Sequence, residues 1–269
     1  MKNTKIIFLD MDGTLLKSDG TISEKTKFAL SEVMKKGIKV CLATGRPRQG
    51  VKRYVKELGL DVFDGYAITY NGAEVRNMKT DEIIYNNPLF QEDIIKIYNV
   101  LKDYDINPIL YKGDKTYAFD EKAYMIERET RVCDCTLQKL NSISDFKTTT
   151  NKILVTGYED YFSKVKDELF TKLGNDYTVS FSTPFYLAIT KKGVDKSIAI
   201  NKLLDNLEIS SEDAMAFGDG GNDVTMLRTV NYSIAMGNAS DLVKSNAKYV
   251  TLSNEEEGIY NIIYNNILN

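Results

Sequence analysis

Residues 5–9, Lys-Ile-Ile-Phe-Leu, form a short apolar run that does not alternate and stops at Asp10. A strand with one wet face alternates polar and apolar side chains. A run apolar throughout suits a strand buried on both faces, as in a parallel sheet covered by helices. Ser23 is placed to cap a following helix in which Ala29 and Val33, and Leu30 and Met34, pair at i,i+4 spacing, and Gly37 sits where such a helix stops. Residues 38–43 read as a second strand, followed by the turn Thr44-Gly45-Arg46-Pro47. Val51, Tyr54, Val55 and Leu58 line a second helix closed by Gly59, and residues 67–69 form a third short strand. This strand–helix alternation predicts right-handed crossovers and an α/β fold on a doubly wound, Rossmann-like parallel sheet.

The rhythm then changes. Asn71-Gly72 reads as a hairpin turn with strands at 73–75 and 83–85 beyond it. A helix over 93–101 follows, then strands at 108–111 and 116–119, and a helix near 121–130. A strand at 153–156, a helix over 161–173 and strands at 178–182 and 187–190 complete the middle. Adjacent paired strands of this kind predict a separate α+β domain inserted into the first. After Gly193 the crossovers return, with a helix over 196–204, strands at 214–217, 232–235 and 249–251, and a last amphipathic helix from about 256. The predicted domains are 1–83 with 190–269, and an inserted domain over 84–189.

Composition narrows the chemistry. There is no histidine among the 269 residues, which excludes Ser-His-Asp triads, Cys-His dyads and histidine-based zinc sites. Acid–base work near neutral pH then falls to carboxylates, lysine, tyrosine or metal-bound water. A net charge of −3 with scattered Lys and Arg argues against nucleic acid or an anionic membrane as partner. No apolar run approaches the ~20 residues needed to span a bilayer, and the stretch before Asp10 is too short for a signal-peptide core. Three cysteines, Cys41, Cys133 and Cys135, make no disulfide framework and suit a reducing, cytoplasmic setting.

Asp10-Met11-Asp12-Gly13-Thr14-Leu15 directly follows the first buried strand. Ligands of open α/β sheets bind at the carboxyl ends of strands where the topology switches, and two aspartates there are costly unless a cation or a shared proton relieves them. The bland alternative is a solvated Asp-Gly turn. Gly218-Asp219-Gly220-Gly221-Asn222-Asp223 decides against it, because it follows another short buried strand and adds two more carboxylates. Four acidic groups at neighbouring strand ends suit a hard cation, and magnesium fits oxygen ligands with retained waters.

These residues resemble the haloacid dehalogenase superfamily and, within it, the Cof-type sugar-phosphate phosphatases. The resemblance spans the chain. It includes Ala43-Thr44-Gly45-Arg46, Gly193-Val-Asp-Lys196, Ala235-Met-Gly-Asn-Ala239 and Ser253-Asn-Glu-Glu-Glu-Gly258 besides the two acidic motifs. It implies a core domain with a large α/β cap inserted after the third core strand, and a magnesium-dependent phosphatase of small phosphorylated metabolites. By the same resemblance Asp10 is the nucleophile and Asp12 the general acid and base. Magnesium (Mg2+) falls to Asp10, the carbonyl of Asp12, Asp219, and Asp223 directly or through water. The backbone N–H of Met11, the Thr44 hydroxyl, the Gly45 N–H, Lys196 and Asn222 serve the phosphoryl group. Arg46 either orders the site or touches substrate, and Asn71 is either a turn residue or part of the site. The implied partner is a small-molecule phosphate, for a monomer or weak homo-oligomer. A phosphomutase or phosphotransferase using the same intermediate, and a non-catalytic phosphometabolite-binding protein, are the alternatives.

Overall fold

The computed structural model describes residues 1–269. The chain enters through Ile6–Leu9 (β1), Glu24–Lys35 (α1), Lys39–Ala43 (β2), Lys52–Leu58 (α2) and Tyr66–Thr69 (β3), then Glu74–Asn77 (β4) and Ile83–Asn86 (β5). Ser23 caps α1 by accepting the Thr26 N–H at 3.1 Å, and Gly37 ends it with φ +86°. β1 is buried at every position, which is the physical reason its sequence does not alternate.

The middle of the chain forms Gln91–Leu101 (α3), Asn107–Lys112 (β6), Lys115–Ala118 (β7), Ile126–Cys133 (α4), Thr136–Lys139 (β8), Ile153–Thr156 (β9), Glu159–Leu173 (α5), Tyr177–Thr183 (β10) and Tyr186–Lys191 (β11). Several boundaries differ from those the sequence predicts. Helix α3 begins two residues early because Asp93 accepts the Phe90 N–H at 2.9 Å and so belongs to its first turn. Helix α4 begins at Ile126 rather than near 121. Asp120 bends the chain by accepting the Lys122 N–H at 2.9 Å, and Met125 takes a left-handed φ of +63°. Strand β8 has no counterpart in the sequence pattern; both its ends are exposed, so no apolar periodicity announces it.

The last third runs through Lys196–Leu207 (α6), Ala214–Gly218 (β12), Val224–Thr229 (α7), Tyr232–Ala235 (β13), Asp241–Lys244 (α8), Tyr249–Val250 (β14) and Gly258–Ile263 (α9). Contacts divide the chain into two compact units. One comprises Met1–Thr44, Lys52–Tyr85 and Asp195–Asn269, and the other Gly45–Val51 with Asn86–Val194.

The first unit carries an eight-stranded sheet in the order β14-β13-β12-β1-β2-β3-β4-β5. Pairing is parallel from β14 to β3 and antiparallel between β3 and β4. Ile6, Phe8, Cys41, Ile68, Ala214 and Ala216 pack with Ala199, Ile200 and Leu203 of α6. Successive strands leave β1 in one direction through β2 and β3, and β12 in the other through β13 and β14. The carboxyl ends of β1 and β12 therefore flank the topological switch, where such sheets bind ligands. The second unit carries a six-stranded sheet in the order β10-β11-β9-β6-β7-β8, antiparallel except for β7 with β8. Leu110, Ile153, Val155, Leu187 and Ile189 of its strands pack with Ile94, Ile97 and Leu101 of α3 and Phe162, Leu169 and Leu173 of α5. No helix in the chain is long and apolar enough to cross a membrane.

Candidate active site

The chain leaves β1 in a tight turn. The Asp10 N–H reaches across to the Phe217 carbonyl of β12 at 3.1 Å. Leu15 and Leu16 then return N–H bonds to the carbonyls of Asp10 and Met11 at 3.2 and 2.9 Å. Gly13 makes the turn possible, with φ +84° and its backbone so close to Asp219 that a Cβ would lie 2.3 Å from that carboxylate. The Met11 side chain is wholly buried, while Asp12 is exposed at the turn.

The second acidic loop follows β12, the strand beside β1. Asp223 is 0% exposed. One of its oxygens accepts the backbone N–H groups of Asp219 and Gly220 at 3.0 and 2.9 Å. Its other oxygen receives the Lys196 ammonium at 2.6 Å, and the same ammonium reaches Asp10 Oδ1 at 2.6 Å. Lys196 is 1% exposed and opens α6, whose N-cap Asp195 accepts the Ser197 N–H at 2.6 Å. The Thr14 hydroxyl donates to Asp219 Oδ1 at 2.7 Å, tying the two acidic loops together.

Asp10, Asp219 and Asp223 thus present carboxylate oxygens that all lie within 4.8 Å of one another. One ammonium serves three acids, and the titration behaviour follows from that shortage. Burial, then the Asp223 charge, pushes the Asp10 carboxyl well above the usual carboxylate range, against the opposing pull of Lys196. Burial likewise lifts Asp219 to about 6, although its bond from Thr14 works the other way. Lys196 is held above the ordinary lysine range, because the charges of Asp10 and Asp223 outweigh the effect of its burial. An all-oxygen donor set with surplus negative charge and no nitrogen or sulfur ligand suits a hard divalent cation. The residues present therefore fit magnesium.

The other predicted positions are spread more widely. Thr44 is buried at the end of β2, donates its N–H to Ile68 at 2.9 Å and accepts the Asn71 N–H on its carbonyl at 3.0 Å. Asn71 lies in the turn between β3 and β4 with φ +59°, and its side chain accepts the exposed Asn222 amide at 3.3 Å. It is therefore a turn residue and also the partner of a residue in the second acidic loop. Gly45 packs with the second unit, where its carbonyl accepts the buried Lys152 ammonium at 2.9 Å. Arg46 donates to the Gly50 carbonyl at 3.4 Å. No motif or periodicity points to Lys152; Asn238 lies in the Ala235–Ala239 motif, to which the sequence attaches no role, and its amide donates to the Gly13 carbonyl at 2.8 Å.

The chain is similar to proteins of one family across its length. The haloacid dehalogenase-like hydrolase family matches residues 7–263. "Putative phosphatase YxeH" of Bacillus subtilis is 30% identical, with 98% of each chain covered. The 5-amino-6-(5-phospho-D-ribitylamino)uracil phosphatase YitU of the same organism is 28% identical over 94% of each. A crystal structure of a haloacid dehalogenase-like hydrolase from Bacteroides thetaiotaomicron superimposes with a TM-score of 0.92 at 30% identity, covering 97% of this chain and 99% of that one. With the acidic loops of β1 and β12 at the switch point of the sheet, the chain belongs to the haloacid dehalogenase-like hydrolases.

Proposed function

We propose that the protein is a magnesium-dependent phosphatase that hydrolyses phosphate monoesters of small metabolites, sugar phosphates or related compounds, through an aspartyl-phosphate on Asp10. The observation that carries this reading is the buried Asp10 carboxylate, 2.6 Å from a lysine that it shares with Asp223. A nucleophilic carboxylate repels a dianionic phosphate. A buried ammonium at its side lowers that barrier and helps to keep it ionised. Asp10, the Asp12 carbonyl, Asp219, and Asp223 directly or through water would hold Mg2+, whose charge supports the ionised nucleophile and offsets that of the phosphoryl oxygens.

In the first displacement an Asp10 oxygen bonds to phosphorus as the ester oxygen departs, taking a proton from the Asp12 carboxyl. In the second, Asp12 takes a proton from water, whose oxygen attacks phosphorus. Inorganic phosphate leaves and the Asp10 carboxylate is restored. Asp12 is suited to both roles by its exposure at the turn, where it can meet substrate and water. Lys196 steadies the phosphoryl charge, with the Met11 N–H, the Thr44 hydroxyl, the Gly45 N–H and Asn222 holding its oxygens. We assign catalysis to residues 1–83 and 190–269 and substrate choice to 84–189. A phosphate-ester substrate on a small polyol accords with the relative YitU, whose name specifies a phosphoribityl compound.

The direct test is phosphate release from an aryl phosphate and a panel of metabolite phosphates, with and without magnesium, beside Asp10→Asn. Magnesium-dependent release by the wild type and none by the variant is expected. Folded protein that releases phosphate from no compound would overturn the hydrolase reading in favour of a phosphotransferase or a binding protein.

A further inference from the structure

Two motifs have no part in that chemistry, Ala235-Met-Gly-Asn-Ala239 and Ser253-Asn-Glu-Glu-Glu-Gly258. They meet each other at the turn that follows β1. The Gly237 N–H bonds the Leu252 carbonyl at 3.0 Å, and the backbones lie so close that a Cβ on Gly237 would stand 2.8 Å from the Ser253 nitrogen. The Asn254 N–H donates to Asn238 Oδ1 at 3.2 Å. Each asparagine then spends its amide on the acidic turn: Asn238 donates to the Gly13 carbonyl and Asn254 to the Leu16 carbonyl, both at 2.8 Å.

This bracket is itself anchored. Ser253 is held by Glu256 at 2.7 Å, and the Glu257 carboxylate accepts the hydroxyls of Ser23 and Thr26 at the start of α1. The Glu255 carboxylate accepts the Ser18 N–H at 2.7 Å. A fixed platform therefore grips the turn at two carbonyls, three residues apart. The turn's own N–H bonds go to the carbonyls of Asp10 and Met11 and leave those two to be engaged from outside.

Gly13 is the lever. Its Cα abuts the Asp219 carboxylate, and the next residue, Thr14, bonds Asp219 directly. Asp10 is tied to β12 by its N–H bond to Phe217, so a shift of the Gly13 peptide would change the spacing of Asp219 from Asp10. We propose that Asn238 and Asn254 are positioning residues that set the spacing of the cation-binding carboxylates by clamping the turn between them. This rests on the magnesium phosphatase reading above. Direct partners of a metal ligand, as Thr14 is of Asp219, commonly change metal affinity or activity by about 10–100-fold when lost, and the two asparagines act one step further out by holding the turn that carries Thr14.

The test uses Asn238→Asp, which sets an acceptor against the Gly13 carbonyl, together with Asn238→Ala and Asn254→Ala. Asn246→Ala is the control, because Asn246 makes the same kind of amide-to-carbonyl bond (to Leu242, 2.7 Å) within α8 and its flank. Two readouts are taken: the magnesium concentration giving half the magnesium-induced rise in Tm without substrate, and kcat and KM for an aryl phosphate. For Asn238→Asp the magnesium midpoint should rise about tenfold and kcat fall about 10–100-fold, with KM within about threefold. Both alanine variants should show the same pattern at about a third to a half of the size on a logarithmic scale, and Asn246→Ala should show neither change. If Asn238→Asp fails to fold, Asn238→Ala decides by the same criteria.

A folded Asn238 variant whose magnesium midpoint and kcat stay within twofold of the wild type overturns the proposal, as does a change matched by Asn246→Ala. Wild-type protein with no magnesium response and no phosphate release is a different failure: it removes the phosphatase reading and this inference with it.

Discussion

Asp10 of the first unit and Asp93 of the other are alike in isolation. Their side chains are 9% and 10% exposed, and each is bonded by a lysine. They titrate in opposite directions. Burial alone would raise Asp93, but Lys191 (2.7 and 2.9 Å to its two oxygens), the Phe90 N–H and the Tyr177 hydroxyl more than offset it and hold the carboxyl below the usual range. Asp10 must share Lys196 with Asp223 and sits near Asp219 as well, so burial and like charge win. Exposed surface does not separate a structural carboxylate from a reactive one here. Asp10 lies deeper in the protein, so burial weighs more on it, and it has fewer cations per carboxylate. A buried site short of positive charge marks the place where a cation and a phosphate belong.

The comparison breaks first on turnover. Asp10→Asn should lower magnesium-dependent phosphate release by at least about a thousandfold, since no other group is placed to form the covalent intermediate. Asp93→Asn should leave release within about twofold while costing about 1–3 kcal/mol of stability in urea, because its three donors lose a charged acceptor. Equal losses of turnover in the two variants would mean that the contrast between the carboxylates carries no functional content.

The lysines sharpen it at a smaller scale. Lys196→Met removes the one ammonium near three acids and should lower kcat/KM by about 10²–10³-fold. It should also enlarge the magnesium-induced rise in Tm, as the carboxylates then depend on the cation alone. Lys191→Met should alter neither quantity and cost only about 1 kcal/mol in urea, since that ammonium is partly exposed. A magnesium response that shrinks in Lys196→Met would show that the lysine supports the cation site rather than competing with it.

The same contrast explains what can be read from the sequence. The strand-and-turn pattern at Asp10 and at Gly218–Asp223 is local, because strands buried on both faces announce themselves by unbroken apolar runs and the acids follow immediately. Lys196 is legible through a motif and through its awkward place at a helix start, where positive charge is unfavourable. Asn238 and Asn254 lie in motifs whose role the sequence does not disclose, and Lys152 lies in none. An asparagine in a loop is an ordinary turn residue until a partner carbonyl from a distant segment comes to it, and Gly13 lies 225 residues from Asn238. Strand β8 and the late start of α4 escape the sequence for a related reason. Half-exposed edge strands carry no pattern, and an Asp120 turn competes with the helix that propensity alone would begin earlier.

The smallest effect is in the pH dependence of stability without metal, and there the two carboxylates' neighbourhoods should pull in opposite directions. Asp219 has a folded pKa of about 6, above the ordinary 3.8, so between roughly pH 4 and 6 the folded state keeps a proton that the unfolded state has released. Stability therefore falls as pH rises through that window. A rise of this size corresponds to about 3 kcal/mol, and partial exposure of Asp219 to water reduces it to about 1–2. Asp10 contributes with the same sign, so Asp219→Asn should remove part of the decline and saturating magnesium most of it. Asp93 has a lowered pKa, so its contribution is complete above the unfolded value and is lost as pH falls through the folded one. Asp93→Asn should accordingly flatten only the acid limb. Urea midpoints from pH 3 to 7 in chelator resolve the two limbs. Wild-type and Asp219→Asn curves that coincide from pH 4 to 7 would show that the crowded acids are already relieved without a cation, and the distinction between Asp10 and Asp93 would then have to rest on turnover alone.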